Sequence, residues 1–153
     1  MPTITSPADL PPLIDQHLGY SRSVEITQDR VDLFADATGD HQWIHVDPQR
    51  AAAGPFGGTI AHGYLTLSLG PELMHDILTW ENIRMGVNYG LNKVRFPSPV
   101  PVGSSVRLGA VIRGAEELGD GGVQVQLEVT FEVEGAAKPA CVAELLLRYY
   151  FSD

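Results

Sequence analysis

One run of the chain, TGDHQWIHVDP, concentrates the residues able to move protons: Asp40, His41, His45 and Asp47. An Asp and a His five positions apart are too far apart to be neighbours on one helical turn. They suit a loop that crosses a pocket with both side chains turned inward. A carboxylate and an imidazole placed so can hold one water and act as base and acid in concert, because His titrates near neutrality and a desolvated Asp rises toward it. A plainer reading stays open at this point: Asp40 and His41 shape a helix exit, and His45 packs on Trp43. Two His and two Asp could also ligate a metal, but their spacing fits no metal-binding pattern.

A second cluster, TIAHGYL, puts Gly63 where a helix begins. A free amide there can polarise a carbonyl and hold an enolate-like oxygen; alternatively His62 and Gly63 only make the turn. Ser68, one turn on, lacks the GxSxG surroundings of a nucleophile. A third segment, LNKVRFPSPVPVGSSVR, alternates Lys93 and Arg95 along a strand, with Arg107 beyond a Pro-rich turn. Same-face cations of this kind can meet a phosphate, or simply be solvated.

The flanking patterns say what must position these groups. YSRSVEI, residues 20–26, alternates as a strand. Thr27 is an N-cap for a helix with Val31, Phe34, Ala35 and Thr38 on one face, and Gly39 ends it. Asp47-Pro48 caps a short second helix through the alanines 51–53, leaving 40–46 as loop. Residues 64–78 are apolar nearly all round, which predicts a buried helix with an interruption at Gly70-Pro71. Four strand-like runs follow, at 85–96, 104–118, 122–135 and 140–151. QVQLEVTFEV alternates cleanly, with one face toward a core. The expectation is an α+β fold in which an antiparallel sheet wraps a long helix.

At 153 residues, 44% hydrophobic and 19% charged, the chain suits one packed domain over 1–153. Ten Lys plus Arg against nineteen Asp plus Glu leave a net charge of −9, which disfavours nucleic acid and anionic membranes as partners. The lone Cys141 cannot form an internal disulfide, no zinc spacing or dinucleotide fingerprint occurs, and no segment reads as a secretory signal or membrane span. A cytoplasmic protein is expected.

Taken in order, these pieces resemble the MaoC-like dehydratase family, from about Ile26 to Phe151. The family's hydratase pattern runs from an aromatic residue through Gly-Asp, Asn-Pro and an aliphatic residue to His; here it reads F34-ADATGD-HQW-I-H45. Gln42 and Trp43 stand where the family has Asn-Pro, a form that resembles the nodulation protein N-like branch. The resemblance implies a hot-dog fold and (R)-specific enoyl-CoA hydratase activity without a cofactor. In that reading Asp40 and His45 are catalytic, and the Gly63 amide holds the thioester oxygen. An acyl-CoA thioester is the substrate, with Lys93 and Arg95 toward its phosphates, and two chains pair edge to edge as a homodimer. A hot-dog acyl-CoA thioesterase and a non-catalytic acyl-binding partner subunit are the alternatives.

Overall fold

The computed structural model describes residues 1–152. After β1 (Thr3–Ile4), two single-turn 3₁₀ segments lead into β2 (His17–Tyr20) and β3 (Val24–Glu25). Helices α1 (Gln28–Thr38), α2 (Trp43–Val46), α3 (Pro48–Ala52), α4 (Gly63–Ser68) and α5 (Gly70–Met74) follow. Then come β4 (Thr79–Trp80) and the long strands β5 (Ile83–Arg95), β6 (Ser105–Glu117), β7 (Gly122–Val133) and β8 (Cys141–Phe151). The main sheet runs β2-β6-β7-β8-β5, with β3 also on β6, and every pairing in it is antiparallel. Strands β1 and β4 form a small parallel pair.

The strict alternation of β7 sends Val123, Val125, Leu127, Val129, Phe131 and Val133 into the core. There they meet Leu65, Leu69, Leu73 and Met74 from α4 and α5, so sheet and helix share one cluster. Full burial of each such side chain is worth about 1.5–3 kcal/mol.

Three expectations need correction. The strand at 20–26 is two short strands, because Ser21 turns inward: its N–H donates to the Leu108 carbonyl and its hydroxyl accepts from the Leu108 N–H, which uses up the ladder position. The helix expected over 64–78 starts at Gly63, breaks at Leu69 and ends at Met74. The Leu69 N–H is shared between the Leu65 and Thr66 carbonyls, a tightened turn, and Pro71 has no N–H with which to continue the ladder. Nor is that helix buried all round, since Tyr64 and Ser68, one turn apart, face solvent. The expected loop 40–46 closes with the single-turn α2, which carries His45. Among the described residues no helix is long and apolar enough to cross a membrane.

Candidate active site

Helix α1 delivers Asp40. Thr27 caps its start, accepting the Arg30 N–H at 3.2 Å, and Gly39 ends it at φ 79°, its N–H donating to the Ala35 carbonyl at 2.8 Å. A left-handed residue turns the chain sharply, so Asp40 leaves the helix axis at once. Its carboxylate is exposed rather than desolvated as the sequence suggested, and it accepts the Gln42 N–H at 3.4 Å. His41 points away and pairs with Asp36 at 2.9 Å, which pushes its imidazole up from the ordinary value.

The single turn α2 delivers His45. The Gln42 carbonyl accepts the His45 N–H at 2.9 Å. Trp43 wedges this turn in place: the Arg50 guanidinium lies 4.4 Å over its ring, and a Cβ on Gly54 would come within 2.9 Å of it. Gln42 and Trp43 thus replace Asn-Pro with a turn closed by packing. His45 does not pack on Trp43; it stacks on His62, ring centroids 3.8 Å apart and planes 24° apart. Its Nδ1 lies 2.6 Å from the Ile60 carbonyl, an acceptor only, so Nδ1 carries the proton and Nε2 keeps a lone pair. Burial pushes this imidazole below its ordinary value; the Ile60 carbonyl opposes that shift, charge on His62 adds to it and Asp40 opposes it.

Gln28 fastens the arrangement from α1. Its amide N–H groups donate to the His45 carbonyl at 2.7 Å and to Asp32 at 2.9 Å, and its oxygen accepts the Thr59 hydroxyl at 2.6 Å. One side chain thereby ties α1, α2 and the strand-like approach to Gly63 together.

One ring nitrogen each from His45 and His62 and one carboxylate oxygen of Asp40 lie within 4.8 Å of one another. Two hydrogen bonds of ~2.8 Å meeting at a tetrahedral water oxygen span ~4.6 Å, so a single water fits between such groups. A shared metal ion fits poorly. Rings stacked face to face point their lone pairs side by side, whereas one ion needs them convergent.

Gly63 opens α4, and its N–H finds no acceptor among the described residues. With His45, Ile60, Thr66 and Phe96 it lines a cavity of about 270 Å³. His45 is thus common to two groupings, the cavity it shares with Gly63 and the cluster it forms with Asp40 and His62; Asp40 itself does not line the cavity. Lys93 and Arg95 do not line it either: both are exposed on β5, though neither is tied up in an ion pair among the described residues. Arg107 does not join them, since β6 lies three strands away and Arg107 pairs with Glu132 at 2.7 Å. A second cleft, about 720 Å³ and mostly apolar, lies between α4–α5 and the inner faces of β5 and β8, apart from Asp40 and His45.

The order of these parts along the chain also matches known proteins. Residues 9–134 match the model of the MaoC-like domain. The chain belongs to that family. It is 60% identical over 149 residues to 3-hydroxyacyl-thioester dehydratase Z of Mycobacterium tuberculosis, covering 97% of this chain and 99% of that one. It is 49% identical over 140 residues to nodulation protein N of Rhizobium leguminosarum bv. viciae, covering 89% and 86%. Among solved structures, the (R)-hydratase from A. caviae involved in PHA biosynthesis superposes with a TM-score of 0.71 at 24% identity, over 88% of this chain and 94% of that one, so the hot-dog fold is shared.

Sequence reasoning missed two residues of this MaoC-like site. Gln28 gives no local signal, because its three partners are scattered along the chain. His62 was legible only as a turn residue, and stacking on His45 is a tertiary fact.

Proposed function

We propose that this protein is a 3-hydroxyacyl-thioester hydro-lyase, an (R)-specific enoyl-CoA hydratase that adds water across a trans-2-enoyl thioester and runs the dehydration in reverse. The observation that carries the reading is the His45 tautomer. With Nδ1–H held by the Ile60 carbonyl, Nε2 remains a proton acceptor, on a ring that lies within the span of one water of the Asp40 carboxylate. In the forward direction, Asp40 and His45 each accept a hydrogen bond from that water. Its oxygen bonds to the β-carbon as one O–H breaks. The released proton passes to the Asp40/His45 pair, and the pair returns a proton to the α-carbon on the same face. As the double bond opens, negative charge gathers on the thioester oxygen, where the unpartnered Gly63 N–H supplies a donor.

Close identity to a 3-hydroxyacyl-thioester dehydratase over nearly the whole chain supports the same reaction class. Nothing in this chemistry calls for a metal or redox cofactor. CoA is the carrier in this reading, with Lys93 and Arg95 as the unpaired cations for its phosphates, and the lone, buried Cys141 accords with a cytoplasmic setting. Purified protein incubated with crotonyl-CoA tests the proposal. Loss of enone absorbance with an (R)-3-hydroxy product and no free thiol is expected; release of thiol marks a thioesterase, and no turnover marks a non-catalytic acyl-binding partner subunit.

The working unit of the proposal is a homodimer paired through β5. This strand forms one of the two edges of the sheet and exposes Met85, Val87, Tyr89 and Leu91, and its Gly86, Asn88 and Gly90 line the larger apolar cleft. A second copy against this edge would cover an apolar strip that water otherwise meets. Sedimentation should give twice the chain mass, and Val87→Lys with Leu91→Lys should give monomer; a monomeric parent contradicts the arrangement.

A further inference from the structure

His62 touches both members of the proton-transfer pair, and no part of the mechanism above uses it. It is buried, 3% exposed, at the entry to α4, where it makes no capping bond of its own. Its Nε2 lies 2.9 Å from the backbone carbonyl of Asp40, which can only accept, so Nε2 bears the proton. One face of the ring stacks on His45, and Phe34 packs against it at 4.9 Å, tilted 53°. Its Nδ1 is buried with no hydrogen-bond partner.

These contacts exclude a simple filling role. An apolar ring would fill the space under His45 equally well and would leave no orphaned nitrogen, whereas the imidazole leaves one acceptor unsatisfied. Only the Nε2–H···O=C bond to Asp40 uses the polarity of the ring. The other titratable group facing the pair is Asp40; α1 presents Phe34 and the neutral Gln28, and the segment after β5 presents Phe96.

We propose that His62 is a positioning residue of the hydration site, an imidazole whose Nε2–H ties the main chain of Asp40 to the ring of His45 and so sets the spacing between carboxylate and base. The proposal rests on the hydratase reading for its kinetic consequences but not for its geometry. From α1 the turn is held by the exposed His41–Asp36 pair and by the Asp40 N–H reaching the Thr38 hydroxyl at 3.4 Å, and among the described residues the bond from buried His62 is the shortest hydrogen bond made by Asp40 itself. Loss of the tether should loosen Asp40 while leaving thioester binding intact. Misplacement of a reacting group by about 1 Å costs on the order of 100-fold in rate.

Two variants divide the side chain's properties. His62→Phe keeps a ring face on His45 and removes the donor; His62→Gln keeps an N–H near the Nε2 position and removes the ring. With crotonyl-CoA, His62→Phe should lower kcat by roughly 10- to 100-fold with KM within about threefold, and His62→Gln should restore most of that loss. On an Asp40→Asn background, His62→Phe should cost less than about threefold more, since it acts through Asp40. Unchanged kcat in His62→Phe, equal loss in both variants, or additive loss in the double variant overturns the proposal. A readout independent of turnover uses ¹⁵N NMR of the parent and both variants: His62 should carry a hydrogen-bonded proton on Nε2, and the amides of Gly39 to Gln42 should stay ordered in His62→Gln and become mobile in His62→Phe. A His62 without a proton on Nε2, or a turn equally ordered in His62→Phe, overturns it even if the parent proves inactive on crotonyl-CoA; inactivity alone counts against the hydratase reading only. Should His62→Phe fail to fold, the Nε2 proton of the parent and the kinetics of His62→Gln decide.

Discussion

Replacing Gly63 separates a glycine needed by the reaction from one needed by the fold. Its backbone is not in the left-handed region, so any L-residue can adopt it without torsional strain. What a new Cβ would meet is the Phe96 ring, at 3.0 Å from Cδ1 and 3.1 Å from Cε1 and Cγ. Ordinary carbon contacts begin near ~3.5 Å, so the ring must withdraw by about half an ångström. Phe96 is 42% exposed and rests edge-on against the exposed Tyr64, so it has room to swing outward. For Gly63→Ala, the helix gains roughly 0.5–1 kcal/mol from the loss of glycine's freedom, against a repacking cost of about 1 kcal/mol. Net stability should move by no more than about 1 kcal/mol. Gly63→Val crowds the ring with two further carbons and should cost about 1–3 kcal/mol. Turnover responds on another scale. A side chain between the amide and the thioester oxygen removes an oxyanion donor, worth about 10²–10³ in kcat. Hydration of crotonyl-CoA, followed beside thermal unfolding of the same samples, should show the valine variant folded and at least about 100-fold slower. A folded Gly63→Val with kcat within about threefold of the parent would refute the amide's role.

His45 gives a pH test of stability. Its folded value lies below the ordinary 6.5, so between the two the unfolded chain binds more protons, and stability falls as pH drops from about 6.5 through the folded value while staying level above. Denaturant unfolding near pH 7.5 and near pH 5.5 should show a smaller acid loss in His45→Gln than in the parent; His41, held up by Asp36, works in the opposite sense and is common to both. Lys93→Ala with Arg95→Ala should raise KM for crotonyl-CoA more than it lowers kcat, since phosphate contacts far from the double bond hold ground and transition states alike, and added salt should reproduce part of the effect in the parent. An unchanged KM moves the phosphate contacts elsewhere, Lys138, two positions before the cavity-lining Ala140 in the sequence, being the next cation to replace.

The four long strands were legible because each carries enough residues for alternation or β-branching to outweigh local accidents; β7, with six buried positions in strict alternation, is the clearest. Helix α1 was legible because cap, stripe and stop all agree: Thr27, Val31 with Ala35, and Gly39. The first strand was misread because Ser21 looks like any polar position, yet it turns inward to satisfy Leu108 across a long sequence separation. Helix α4 was misread as wholly buried because apolar composition does not say which face a tertiary neighbour leaves open, and Tyr64 is left open. Asp40, His45 and Gly63 could be named from order and spacing. That His45 carries its proton on Nδ1 and leaves Nε2 as the acceptor could not, since the Ile60 carbonyl that fixes its Nδ1 lies fifteen residues on. Lys93 and Arg95 share a strand face as expected, but a strand face does not say which cavity it borders.

In the proposed hydration, Asp40 and His45 handle one water together. Steady-state hydration of crotonyl-CoA by Asp40→Asn, His45→Gln and the double variant measures it most directly. Each single variant should fold as the parent does and lose on the order of 10²–10⁴ in kcat, and the double variant should be little slower than the slower single, because removing either partner already dismantles the shared proton path. Near-parental turnover in either single variant, or losses that multiply in the double, would contradict the account.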